Sequence, residues 1–178
     1  MDVPDVQSEH PPGPRDNRIS FYVFNLAGGR GCGSYFQDPV EVGKWLHVVG
    51  VVDAGSHTTA IYKNGHLRNT NAYGGTITPA HGSAPLRLGT KDLASFLRGA
   101  LSQVRIWNRP LTPAEVTALY ATNSVPQDGL VAEYLLNEGH GTVVHDSQGH
   151  PQGIVVGGTW DAMHHAISAT TGQNGGGC

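Results

Sequence analysis

Charge is scarce in this chain. Only 14% of its 178 residues are Asp, Glu, Lys or Arg, where an ordinary globular chain carries about a quarter. The formal net charge is −3, so no broad basic surface of the kind that gathers nucleic acid or an anionic membrane is expected. No apolar run approaches the roughly 20 residues needed to span a bilayer as a helix, so membrane insertion is not expected either. The two cysteines, Cys32 and Cys178, form no CxxC pair, which removes a thiolate-rich zinc site. A bridge between them and two free thiols both remain open. No G-x-S-x-G, H-E-x-x-H or phosphate-loop pattern occurs.

Turn formers are plentiful instead, with Gly 25 and Pro 11. Few charges and many turns favour an all-β body. Residues 1–17 hold Pro4, Pro11, Pro12 and Pro14 among polar residues and read as a flexible leader. They lack the apolar centre of a secretory signal; a removed signal, another export route and an intracellular protein stay open. Residues 162–178 read as a flexible tail, and its Gly-Gly-Gly-Cys end as native or engineered.

Between these ends the pattern is of short strands. Residues 18–25 are aromatic and β-branched. Residues 28–33, with Cys32, read as a glycine loop and 34–37 as a short segment. Residues 42–53 form the longest apolar run, expected to be a central strand buried on both faces. Residues 58–63 return through Asn64-Gly65, a two-residue hairpin signal, to a strand over 67–72. A short edge is expected over 74–79 and a half-buried strand over 86–89. Residues 96–107 make a further strand with Leu101, Val104, Ile106 and Trp107 toward the core. Thr112, Pro113 and Glu115 then make a capping box with proline at the first helical position, which predicts a short helix over 112–121 with Val116, Leu119 and Tyr120 on its apolar face. Residues 130–136 form a strand that 142–145 pairs back upon, and 154–156 lead into Trp160. Some nine or ten short strands suit a two-sheet sandwich.

Three blocks carry a family resemblance. They are Trp45-x-His47-Val48-x-Gly50 followed by Ile61-Tyr62-Lys63-Asn64-Gly65; residues 99–120; and residues 129–160, with Leu130, Tyr134, Glu138, Gly139, Asp146, Ser147, Gly149 and Gly153. Together they resemble the laminin-G-like jelly roll of the concanavalin A-like lectin and glucanase superfamily. The resemblance implies an all-β, two-sheet antiparallel sandwich over 18–161 with one short helix. The third block resembles strands that normally open such a domain, yet it follows the closing ones. Either the chain is circularly permuted, with 129–160 folded back into one sandwich, or it cuts across a longer protein; the single sandwich is the expected arrangement.

Such domains are usually non-catalytic binding modules at the cell surface or outside the cell, so a carbohydrate or a glycosylated surface is the expected partner. A structural or adhesion subunit of a fibre, sheath or appendage, assembling with itself or other proteins, is the alternative. An accessory domain of a larger hydrolase is a weaker third. Glucanase relatives place two carboxylates on one strand. Here Glu133 and Glu138 are separated by the start of a turn, so alternation does not align them, and no enzyme is expected. Sugar recognition needs an aromatic face with polar groups nearby; Tyr35, Tyr73 and Trp160, with Asn69, Asn71 and Asp92, are the candidates, and plain packing is the competing role for each. Trp45 and Trp107 are assigned to the core. Relatives imply a calcium ion held near Asp146, although Ser102 and Gln103 stand where acidic partners are frequent; local hydrogen bonding by Asp146 is the plainer role. His140, His145 and His150, five positions apart, and the adjacent His164 and His165 lack the spacing that guarantees convergence on a metal. Arg87, Arg98 and Arg105 read as a solvated strip.

Overall fold

The computed structural model describes residues 17–24, 31–74, 85–90, 93, 96–161 and 166–169. Asp92, His164, His165, Cys178 and the edge expected over 74–79 fall wholly or almost wholly outside them. The described residues form β1 (Ile19–Phe24), β2 (Gly31–Phe36), β3 (Val48–Asp53), β4 (Thr58–Lys63), β5 (His66–Ala72), β6 (Ala100–Leu101), β7 (Val104–Trp107), α1 (Pro113–Thr122), β8 (Leu130–Tyr134), β9 (Val143–Val144), β10 (Gly153–Ile154), β11 (Gly158–Asp161) and β12 (Ala166–Ala169). Every strand pairing is antiparallel. The protein is mostly β with a single short helix among the described residues, as the sequence implies. Contacts divide it into two compact units, Met1–Gly82 with Arg109–Pro126, and Ser83–Asn108 with Gln127–Cys178.

In the first unit β4 is the central strand of a sheet ordered β3-β4-β5. Thr59 and Ile61 are buried and lie on one face, opposite Asn71 and Asn69 of β5 and Val52 and Gly50 of β3. The β1–β2 hairpin covers that face. Close approach is possible because the contacting residues are small: the Phe21 ring occupies the space a side chain at Gly50 would fill, and the Tyr22 ring lies across its strand partner Gly33. Between the layers the buried Ser34 hydroxyl donates to the Thr59 carbonyl (2.8 Å) and shares a second bond with the Thr59 hydroxyl (2.9 Å). A buried polar pair is tolerated only because it is satisfied.

The Asn64-Gly65 turn forms as expected, with φ of 51° and 78°; Lys63 pairs with His66 and Tyr62 with Leu67 beside it, and the register then shifts between Tyr62 and Ile61. The chain before β3 is held to this turn by two bonds, from Asn64 N to His47 O (2.9 Å) and from His47 N to Asn64 Oδ1 (3.0 Å). The α1 capping box is complete: Thr112 Oγ1 accepts from Glu115 N (3.2 Å) and Glu115 Oε2 accepts from Thr112 N (2.7 Å). Val116 and Leu119 are buried, whereas Tyr120 is half exposed. Its side chain rests on Gly65, its ring stands 5.7 Å from that of His47, and Thr117 donates to Gly65 O (3.2 Å).

In the second unit β7 pairs with β8, so the first strand of the 129–160 block joins the strand before the helix. β9 pairs with β10, and β12 lies between β11 and β6.

Several expectations change. Cys32 and Gly33 belong to β2, not to a loop, because Gly31–Phe36 finds a full set of partners on β1; Cys32 is a free thiol. The 42–53 run is not a central buried strand. Only its second half is β, it lies at a sheet edge, and Val42 is fully exposed. Leu86 and Leu88 are exposed outside any strand. The 96–107 segment breaks at Gln103, which adopts φ 51°. Residues 143–144 pair with β10 rather than with β8; the chain reaches the β8 edge just afterwards, through the Tyr134–Asp146 bridge and the bond from Ser147 N to Glu133 O (2.9 Å).

Candidate functional site

The residues expected to bind sugar are mostly occupied. Asn69 and Asn71 face β2, where Asn69 Oδ1 accepts from Tyr35 N (3.3 Å) and Asn71 Nδ2 donates to Gly33 O. They tie one layer to the other. Tyr35 is half-buried and the Arg18 guanidinium sits 3.7 Å above its ring. Tyr73 is 7% exposed, and its ring stacks on His57 at 5.4 Å. These four belong to the first unit, but none presents an open aromatic face. Trp160 lies in β11 of the second unit, half-buried, its indole N–H donating to Gly141 O (2.7 Å).

Asp146 also lies in the second unit. Its carboxylate is buried, and its two oxygens accept from Glu133 N (2.7 Å), Gln148 N (3.1 Å), His150 N (3.2 Å) and His150 Nδ1 (2.9 Å). Burial alone would raise its pKa, but the N–H groups of Glu133, Gln148 and His150 outweigh that and hold it below the usual carboxylate value. Alongside, Glu133 accepts from Ser147 Oγ and from Arg105 Nε (2.7 Å), and both bonds lower its pKa, that of Ser147 the more. Calcium takes about six to eight oxygen ligands. Here the Asp146 oxygens meet donors, and the adjacent carboxylate is held by a guanidinium, so this arrangement does not fit the ion. No group of three or more His, Cys, Asp or Glu converges on a metal among the described residues. His145 instead approaches Glu138 (3.4 Å), and Arg105 is an ion-pair partner rather than part of a solvated strip.

A groove of about 160 Å³ lies in the first unit, lined by Pro39, Val40, Glu41, Lys44, Trp45, Leu46, Lys63 and Asn64. Its wall is the β2–β3 connection, held down by the His47–Asn64 bonds just described. Trp45 is 52% exposed. Lys44 pairs with Glu41 at 2.7 Å, both well exposed, and Lys63 pairs with Asp38 at 3.2 Å, both about three-quarters buried or more. An indole beside hydrogen-bonding side chains in a shallow groove suits the apolar face and hydroxyl rim of a pyranose. At this volume the groove holds part of a ligand rather than enclosing one, since enclosing pockets run from about 300 Å³ upward.

A laminin-G family model, described as concanavalin A-like lectin/glucanases superfamily, matches residues 13–117. The chain belongs to the concanavalin A-like lectin/glucanase superfamily. The match includes the hairpin and groove of the first unit and ends before the 129–160 block. No curated protein matches the chain. Among solved structures, the chain is similar to an S-layer domain-containing protein (residues 221–444) from Clostridium thermocellum, at 20% identity and a TM-score of 0.33. That match covers 58% of this chain and 52% of the other, about half its length.

For this superfamily member the groove is the feature missed by sequence reasoning. The apolar run around Trp45 implies a core position. The available signal was the interruption of that run: Glu41, Gly43 and Lys44 just before the indole, with Pro39 upstream, mark a loop rather than a buried strand.

Proposed function

We propose that the protein is a non-catalytic recognition module that binds carbohydrate, free or on a glycosylated surface, through the Trp45 groove. The half-exposed indole lining that groove carries the reading, and membership of a superfamily of lectins and glucanases supports it. Catalysis is not part of it: Glu133 is engaged by Arg105 and Ser147, and Glu138 accepts from His145 N (2.8 Å). Calcium is not part of it either, because the Asp146 oxygens are taken by donors. The reading goes with a protein at the cell surface or outside the cell. Its test is affinity electrophoresis of the wild-type chain and Trp45→Ala on a panel of polysaccharides, with calcium and with chelator. Loss of a stacked aromatic should weaken retention about tenfold, leave the melting temperature nearly unchanged as surface substitutions do, and act equally in both buffers. Equal retention of the two proteins would overturn the reading.

A second reading, an assembly or adhesion module, is favoured by the two edge strands of the β3-β4-β5 sheet, which carry exposed Val48 and Leu67. It predicts oligomers in light scattering that free sugars leave intact.

A further inference from the structure

We infer that the groove takes an uncharged saccharide and that Asp38 determines this choice. The inference rests on the carbohydrate reading of the groove and names its ligand class. Two ammonium groups line the groove, Lys44 and Lys63, and on that ground alone an acidic sugar would seem the natural ligand. Both are already neutralised. The Lys44–Glu41 pair is exposed and contributes little in either direction. The Lys63–Asp38 pair differs: its side chains are only 19% and 27% exposed, so its attraction is less screened.

Asp38 does more than pair with Lys63. Its Oδ2 accepts from Lys63 Nζ while Oδ1 accepts from Arg68 NH2 at 2.8 Å. One carboxylate therefore holds two cations, one from each strand of the β4–β5 hairpin. The Phe36 ring, 5.5 Å from Lys63 Nζ, helps fix the ammonium in place. A uronate or sulfate entering the groove would compete with a carboxylate already held at contact distance, and would itself have to lose water. A neutral pyranose meets no such competition: its hydroxyls hydrogen-bond to the paired groups without separating them, and its apolar face lies on Trp45. Replacing Asp38 by its neutral isostere would leave Lys44 and Lys63 in the groove with Glu41 as the remaining lining carboxylate, and the same groove would then attract anions.

The experiment compares wild type, Asp38→Asn, Trp45→Ala and Asp38→Asn combined with Lys63→Gln, all as the full chain. The probes are neutral glucan, mannan and galactan gels, and polygalacturonate, at low and high salt. Wild type should be retained on a neutral gel, independently of salt, and only weakly on polygalacturonate. Asp38→Asn should gain polygalacturonate retention of about fivefold, lost at high salt and lost in the double variant. A melting curve shows whether each variant folds, and Asp38→Ser, which removes the same charge and should show the same gain on polygalacturonate, carries the test if Asp38→Asn does not fold. Wild-type preference for polygalacturonate, or no gain by a folded Asp38→Asn, would overturn the charge argument while the groove stands. Trp45→Ala retained like wild type would overturn the groove itself, and with it both readings.

Discussion

The two units are stabilised by different means. The first contains seven of the ten buried apolar residues among those described, Phe36, Ile61, Tyr62, Tyr73, Leu111, Val116 and Leu119; the second contains Ala132, Leu136 and Val144. The polar groups that join the layers of the first are neutral, the Ser34–Thr59 pair and the Asn69 and Asn71 side chains, while its ion pairs, Lys63 and Arg68 with Asp38 and Arg109 with Glu115, stay part-exposed. In the second, ionised groups do the joining: Arg105 to Glu133 across β7 and β8, and Asp146 to the backbone of β8. Large apolar side chains such as Ile154, Val156 and Phe96 remain exposed there. A thin apolar core leaves more of the stability to charge-assisted hydrogen bonds, which are strong when satisfied and costly when broken.

Core truncation in the first unit should have the largest effect. Ile61 is fully buried, so Ile61→Ala is expected to cost about 4 kcal/mol, read by chemical denaturation. Hydrogen exchange should show protection lost first in β4. Equal loss in β7 and β8 would mean that the two units unfold together, and the contrast would then be one of composition only.

Asp146→Ala probes the second unit. It removes an acceptor from three backbone N–H groups and from the His150 ring, with an expected cost of about 3 kcal/mol. Amide protection should fall at Glu133 and Gln148 in particular. A cost below about 1 kcal/mol, the range of an exposed ion pair, would show that water replaces the carboxylate easily and that the second unit does not depend on it.

What could be read from the sequence follows the range of the interaction. Thr112, Pro113 and Glu115 specify the helix start within four residues, and Asn64-Gly65 specifies its turn within two, so both were legible. Their docking partners were not. The Thr117 bond to Gly65 spans 52 positions, and nothing local in either residue announces it. Asn69 and Asn71 beside tyrosines look like sugar-binding groups in sequence; their bonds to β2 span 34 and 38 positions and reveal a role in joining layers. The partner of residues 143–144 was misread for a related reason. Proximity in sequence favours a hairpin with 130–136, but the return to β8 is made two residues later, at Asp146 and Ser147, and 143–144 pair with Gly153–Ile154 instead. Trp45 shows the opposite failure, in which a local apolar run suggested burial that the surrounding fold does not provide.

The smallest effect is expected at the helix start, and it separates neutral from ionic stabilisation within the first unit. Hydrogen bonds from Arg109 above all, with those of Thr112, lower the Glu115 carboxyl from 4.5 to about 2. A carboxyl depressed in the folded state contributes stability that is complete above its unfolded value, near 4.5, and is lost as the pH falls through about 2. Glu115→Gln keeps an acceptor for the Thr112 N–H but loses the ionic bond to Arg109, whose guanidinium reaches both carboxylate oxygens. It should cost about 1 kcal/mol or less near neutral pH, as part-exposed ion pairs do, and nothing once the pH lies below about 2, where the wild-type carboxyl is protonated too. The measurement is the difference in stability between the two proteins as the pH is lowered. A difference that stays constant through the acid range would mean that glutamine fails to complete the cap, and that geometry rather than charge makes Glu115 effective. In the second unit Glu133 and Asp146 are depressed in the same sense and join strands rather than a helix end. Acid should therefore lower amide protection in β8 further than in α1. If α1 loses protection first, the ionic contrast between the two units is wrong.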